Sequence, residues 1–185
     1  MDSTPFYVAL YIHLFGLILA FGSVIVTDLF GLLWIFNRVR FPQVIRVSGE
    51  TENFIWTGWG IMVVAGLALI YYKGAIDNLM VIKLFFVGLI GLNGIPLHFL
   101  QKAVKGYDVG LEIPNIVMFR LGLCLFISQL GWWSAFTIGF LHRHVQPIIE
   151  WPPHPILVCA GILVCLLTLW GIGETTLKVS GIAEE

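Results

Sequence analysis

Charged residues are scarce in this chain of 185 residues: they make up 11% of the sequence, whereas hydrophobic residues make up 58%. A soluble domain carries about 25% charged residues, so this composition predicts an integral membrane protein. No basic run suggests a nucleic-acid partner. The start, MDSTPF, lacks a basic residue, and the apolar run that follows is too long for a cleaved signal peptide. We therefore expect that run to remain as a helix.

Cysteine is also scarce, with three residues, Cys124, Cys159 and Cys165, all inside apolar runs. None belongs to a CxxC pair, so we expect neither a disulfide nor a thiolate metal site. The sequence also lacks a Ser-His-Asp pattern, a phosphate-binding loop and an HExxH motif. These absences leave no signature of a soluble enzyme.

Long apolar runs are what the chain has instead, and they predict an all-α integral membrane protein, a bundle of five transmembrane helices in a single membrane domain. A helix needs about 20 apolar residues to cross the core of a bilayer. We expect helices at about 6–36, 54–72, 79–100, 116–141 and 156–173. The polar segment 37–53 mixes three arginines with apolar residues, so we expect part of it to lie in the membrane interface.

The distribution of basic residues predicts the orientation, because cytoplasmic loops carry an excess of lysine and arginine. The second and fourth loops carry only Lys73 and Arg143. We therefore expect the N-terminus outside and the C-terminus inside, in a bacterial inner (cytoplasmic) membrane. The basic residues that this orientation places inside are Arg38, Arg40, Arg46, Lys102, Lys105, Arg120 and Lys178.

Ionisable residues inside apolar runs are the candidate functional residues, because a charge at membrane depth costs a few kcal/mol or more. The predicted orientation places His13 of the first helix level with Lys83 of the third, in the outer half. Asp28 lies level with His98 in the inner half, where Arg120 joins them. A buried proton site at Asp28, His98 and Arg120 is the functional hypothesis, and a structural ion pair is the alternative.

His13 is a candidate haem ligand, metal ligand or proton carrier. Its alternative role is a hydrogen bond to a neighbouring helix near the headgroups. His13 shares a stripe of small residues with Gly16 and Ala20, where another helix or a flat cofactor could approach the backbone. Lys83 could bind a carboxylate such as a porphyrin propionate, or it could extend to the interface.

Further histidines supply candidates for a second haem ligand. His98 lies about four turns deeper than His13 if both helices are straight, so it would serve a second haem instead. His142 and His144, at the outer end of the fourth helix, are better placed to share an iron with His13, and a solvated helix end is their alternative role. We expect His154, among prolines, to lie at the surface.

The placement of His13 and of Lys83-Leu84 resembles the HemJ/CopD type of small membrane protein. That group is similar in having four or five spans, a first-helix histidine, and a lysine opening a later helix that ends in histidine and basic residues. Here the later helix reads KLFFVGLIGLNGIPLHFLQKAVKG, and the following LEIPNIV is similar to the entry to the next helix in HemJ-like proteins. The resemblance covers roughly 11–117 and departs from the group at Ile82, where tryptophan is expected.

The resemblance implies haem b binding and protoporphyrinogen oxidation for HemJ-like members, and copper handling for CopD-like members. It would make His13 the haem or active-site histidine and Lys83 its polar companion. Our leading expectation is a haem-b membrane protein that acts as an oxidoreductase in electron transfer or haem-pathway oxidation. Its expected cofactor-binding residues are His13, Lys83, His98, His142 and His144.

Two other classes of function stay open. One is a proton or copper transporter or channel subunit, although the four methionines form no ladder of copper ligands. The other is a structural subunit of a respiratory membrane complex. The expected partner is the lipid bilayer. A quinone, a redox partner protein, a homo-oligomer and a larger complex are further partners that the sequence leaves open.

Overall fold

The computed structural model describes residues 4–105, 113–144 and 152–179, and for 142–144 it describes the backbone alone. Within these ranges the chain is all-helical and has no strand. The five helices are α1 Thr4–Ile35, α2 Phe41–Lys73, α3 Asn78–Lys105, α4 Asn115–His144 and α5 Pro155–Val179. Each is long and apolar enough to cross a membrane. The expectation of five such helices is confirmed.

The second helix begins earlier than the apolar pattern indicates, at Phe41 rather than near residue 54. Pro42 stands in its first turn, where a missing N–H costs nothing, and the Arg40 N–H donates to Gln43 Oε1 at 2.8 Å. The part of the polar segment from Phe41 onwards, which contains Arg46, is thus continuous with the apolar helix. With 33 residues, α2 is about 50 Å long, which exceeds the ~30 Å of a bilayer core.

The turns between helices have recognisable end signals. Gly74 ends α2 with φ of 72° and donates its N–H to Ile70 O at 3.0 Å, a conformation that glycine adopts without strain. Asp77 precedes α3, and its Oδ1 accepts the Met80 N–H at 2.8 Å, as expected of a helix N-cap. These two signals make the connection between α2 and α3 short.

The chain forms two compact units, Met1–Ile76 and Asp77–Glu185. The first unit is a hairpin of α1 and α2. Its two helices touch backbone to backbone: a Cβ atom added to Gly58 would lie 2.6 Å from Ala20 N and 2.7 Å from Gly16 O. Small residues permit this approach, as they do where membrane helices pack closely.

The second unit is a bundle in which α3 packs against α4 and α5, and α4 packs against α5. Its core contains Ile82 and Phe86 of α3 and Ala135 of α4, and Val158 and Ile162 of α5 pack against them. Trp132 of α4 is 1% exposed. Helices consecutive in the chain run antiparallel in this unit, so the start of α3, the end of α4 and the start of α5 lie at one end.

Candidate functional site

His13 is held by a hydrogen bond within the first unit. Its Nδ1 lies 2.8 Å from the backbone oxygen of Met62, on α2. A carbonyl oxygen only accepts, so this contact requires the ring proton to be on Nδ1. In that neutral tautomer the lone pair belongs to Nε2, the nitrogen that can bind a metal ion.

The His13 ring also lies against a glycine of α2. A Cβ atom added to Gly66 would be 3.3 Å from His13 Cε1 and 3.4 Å from Nδ1. The first distance is shorter than ordinary van der Waals contact. Gly66 and the Met62 carbonyl oxygen therefore fix the position of the imidazole together, from adjacent turns of one helix.

The stripe of small residues beside His13 is covered by α2. Gly16, Ala20 and Val24 are buried, and a Cβ atom added to Gly16 would lie 2.8 Å from both Gly58 O and Met62 N. The sequence allowed either another helix or a flat cofactor against this stripe, and in the structure it is a helix, α2. A flat ring has no room over Gly16 and Ala20.

A pair of hydroxyl groups joins the same two helices further along. Thr27 Oγ1 and Thr51 Oγ1 are 2.8 Å apart, and each lies within hydrogen-bond distance of a carbonyl oxygen one turn earlier, Ser23 O and Val47 O. Asp28, next to Thr27, is half-buried. Its pairing with His98 or Arg120 stays a prediction.

Lys83 lies in the second unit, beside the last two turns of α4. It is half-buried, and a Cβ atom added to Gly139 would lie 3.2 Å from Lys83 Nζ. Because Gly139 has no side chain, the ammonium group of Lys83 has room beside α4. His142 follows within about one turn along α4. Lys83 and the backbone of His142 therefore share one end of this unit.

The remaining histidines occupy the two ends of the second unit. His142 and His144 form the last turn of α4, and their side chains lie outside the described residues. His154 is exposed just before α5, where the sequence predicts a surface position. Near it, Asn78 Nδ2 donates to Pro152 O at 3.3 Å, which joins the start of α3 to the start of α5.

His98 lies towards the opposite end. The Asn93 amide, 7% exposed, donates to Cys124 O at 2.8 Å and fixes the alignment of α3 with α4. His98 follows further along α3 and so lies level with the first turns of α4, near the depth of Arg120. Its ring makes an edge contact with Phe99 and is half-buried. The sequence predicts that His98 and Arg120 lie at the same depth.

Arg120 is paired with a residue that sequence reasoning missed. Its Nε and Nη2 donate to the two carboxylate oxygens of Glu174, with Nη2 at 3.0 Å from Oε2. Trp170 Nε1 also donates to Glu174 Oε1 at 3.2 Å, and Lys178 Nζ lies 3.3 Å from Oε2. Glu174 follows the last apolar run, so hydropathy alone assigned it to a polar tail.

The chain matches no protein-family model, and neither the curated proteins nor the solved structures include a match to it. In the parts of the chain that the structure describes, no group of three or more histidine, cysteine, aspartate or glutamate residues is arranged to hold a metal ion. The candidate site is built on the imidazole of His13, which is positioned by contacts with α2.

Proposed function

We propose that this chain is an integral membrane protein with five spans, its N-terminus outside and its C-terminus inside, in a bacterial inner membrane. We further propose that it binds haem b through His13 and acts in electron transfer or haem-pathway oxidation. The membrane assignment is supported by the five long apolar helices and by the many large apolar side chains on their exposed faces.

The hydrogen bond from His13 Nδ1 to Met62 O carries the haem proposal. A metal-bound histidine almost always donates its other ring N–H to a carbonyl, carboxylate or water, which fixes the tautomer and the ring orientation. His13 has that arrangement, with Gly66 limiting movement of the ring on one side. In the neutral form of this arrangement, Nε2 of His13 would carry the lone pair that binds haem iron.

The same geometry limits where the cofactor fits. Haem cannot lie on Gly16 and Ala20, because α2 fills that surface. His13 Nε2 would be one ligand of the iron. The roles of His142 or His144 as the second ligand, and of Lys83 as the partner of a propionate, stay predictions from the sequence. Bound haem b supplies one-electron redox chemistry. Within the first unit, the Met62 carbonyl oxygen and Gly66 orient the imidazole of His13, and the apolar helices exclude water.

A second function is favoured by one observation. The hydrogen bond of His13 joins α1 to α2 beside a backbone contact, and this alone would explain a structural histidine in a subunit of a larger membrane complex. The resemblance to HemJ-like proteins supports the haem assignment over this alternative. It would assign the oxidation of protoporphyrinogen as the reaction.

Two variants of His13 separate these functions. His13→Gln keeps an N–H donor for Met62 O and removes the imidazole, whereas His13→Ala removes both. We expect the haem-supplied wild type to show sharp low-spin α and β bands when reduced, and both variants to lose haem or become high-spin. His154→Ala, the matched control, should keep the wild-type spectrum.

Stability gives the second readout. A haem ligand predicts that His13→Gln loses the spectrum while retaining most of the thermal stability of the apoprotein. A purely structural histidine predicts that the wild type has no Soret band and that only His13→Ala is destabilised. A wild-type spectrum in His13→Gln would contradict the assignment of His13 as a ligand.

A further inference from the structure

Four exposed cationic side chains gather at one end of the α3–α5 unit, which we call the basic end. They are Lys102 and Lys105 in the last turn of α3, Arg120 in the second turn of α4, and Lys178 in the last turn of α5. The antiparallel alignment that Asn93 and Cys124 fix brings these turns to the same end. The basic end is therefore a property of the packed unit.

Within the described residues, the basic end has more cations than carboxylates. Among the described residues of these turns, Glu174 is the one carboxylate, and its side chain is 12% exposed. Arg120 and Lys178 are 43% and 65% exposed. In the described parts of these turns, four cations therefore stand against one carboxylate, and the exposed charges of those residues are positive.

The contact between Arg120 and Glu174 also orients the guanidinium. Nε and Nη2 donate to the carboxylate, so Nη1 lies on the edge of the plane away from Glu174. A guanidinium held in this way presents its remaining N–H donors in a fixed direction. Lys178, one turn after Glu174 on α5, supplies a second cation beside it. Such a pair matches the charge and the acceptor oxygens of a phosphate group.

An exposed apolar surface adjoins these cations on α5. Leu169, Trp170 and Ile172 are 51%, 49% and 59% exposed. Trp170 donates to Glu174, so its ring stands where apolar and charged surfaces meet, as tryptophans do at membrane interfaces. A ligand that fits both surfaces needs an anionic head and an apolar tail. A free anion would leave the apolar surface unused.

We propose that the basic end binds the headgroup phosphate of an anionic phospholipid. Arg120 and Lys178 contact the phosphate, Lys102 and Lys105 add long-range attraction, and an acyl chain lies along Leu169 and Ile172. Basic pockets between membrane helices bind anionic headgroups on the cytoplasmic side, which is the side proposed above for this end. The inference rests on the proposed membrane insertion and is independent of haem.

The test is native mass spectrometry of the detergent-solubilised full chain, titrated with phosphatidylglycerol or phosphatidylcholine of identical acyl chains. We expect tighter binding of phosphatidylglycerol. The double variant Lys102→Gln/Lys178→Gln should weaken its binding by about 25-fold, since each lysine near an anionic surface contributes about fivefold, or ~1 kcal/mol. Phosphatidylcholine binding should not change.

The matched control is Arg46→Gln/Lys73→Gln, which removes two exposed cations from α2. It should bind phosphatidylglycerol as the wild type does. Equal losses in the two double variants would overturn the proposal, since they would indicate a general charge effect. Displacement of the lipid by inorganic phosphate, or by a soluble acidic peptide, at equal concentration would also overturn it, because neither contacts the apolar surface of α5.

Flotation with vesicles separates this inference from the proposed function. A chain that does not float with vesicles is not inserted, and both proposals then fail. A chain that floats but shows no preference for phosphatidylglycerol contradicts the lipid site and leaves membrane insertion and haem binding standing.

Discussion

The close contact between α1 and α2 predicts a large effect from a single methyl group. In Gly58→Ala the added Cβ atom would lie 2.6 Å from Ala20 N and 2.7 Å from Gly16 O. Both neighbours are backbone atoms of a helix, and Ala20 is completely buried. No side chain can rotate away, so the two helices must separate.

The required separation is about 0.8 Å, because ordinary van der Waals contact begins near 3.4 Å. A gap of 0.5–1 Å forfeits about a quarter to a half of the dispersion energy of the atoms that it parts. Overpacking of this kind costs ~1–3 kcal/mol. If the movement reached His13, the 2.8 Å contact with Met62 O would lengthen to about 3.6 Å, which is too long for a hydrogen bond.

Gly60→Ala is the matched control on the same helix, since nothing lies within 4 Å of a Cβ atom there. Alanine is ~1 kcal/mol more favourable than glycine inside a helix, so this variant should be neutral or stabilised. Both variants gain the same helix propensity, so unfolding by sodium dodecyl sulfate in mixed micelles, followed by circular dichroism, should separate them by the overpacking cost of ~1–3 kcal/mol. Equal midpoints for Gly58→Ala and Gly60→Ala would refute the close contact.

Three further predictions concern the site, the second unit and the orientation. Gly66→Ala should push the His13 ring by a few tenths of an ångström and shift the spin state or the α band of the haem-loaded protein, whereas Gly60→Ala should not. Asn93→Ala should lower the stability of the second unit by ~0.6–1.7 kcal/mol in the same unfolding assay, because it removes the buried hydrogen bond to Cys124 O. An unchanged stability would mean that this hydrogen bond is not formed. In a cysteine-free background, an impermeant thiol reagent should label Gln146→Cys and not Lys105→Cys on intact cells, and the opposite labelling would reverse the proposed orientation.

The number of helices could be predicted because each apolar run is about as long as a membrane span, or longer, and is bounded by polar residues. The start of α2 could not, since the segment from Phe41 onwards carries Arg46 and two glutamates, which lower its hydropathy without preventing a helix. Hydropathy reports burial in lipid, whereas the helix itself depends on local hydrogen bonds such as that between Arg40 and Gln43.

The candidate site was predictable in part. His13 is conspicuous as an ionisable residue in an apolar run, but its partner is a backbone oxygen of Met62, and a backbone oxygen has no sequence signal. The role of Gly66 depends on the alignment of two helices, which composition does not contain. Glu174 had a signal that could have been used: it stands four residues after Trp170 and four before Lys178, so all three share one helical face.

The visible absorption spectrum of the purified, haem-supplied wild type tests the central claim most directly, because it reports the cofactor and its ligands at once. Two-histidine ligation predicts a Soret band, with sharp low-spin α and β bands on reduction that disappear in His13→Gln. A monodisperse, helical protein with no Soret band would contradict the account and would favour the transporter or the structural subunit.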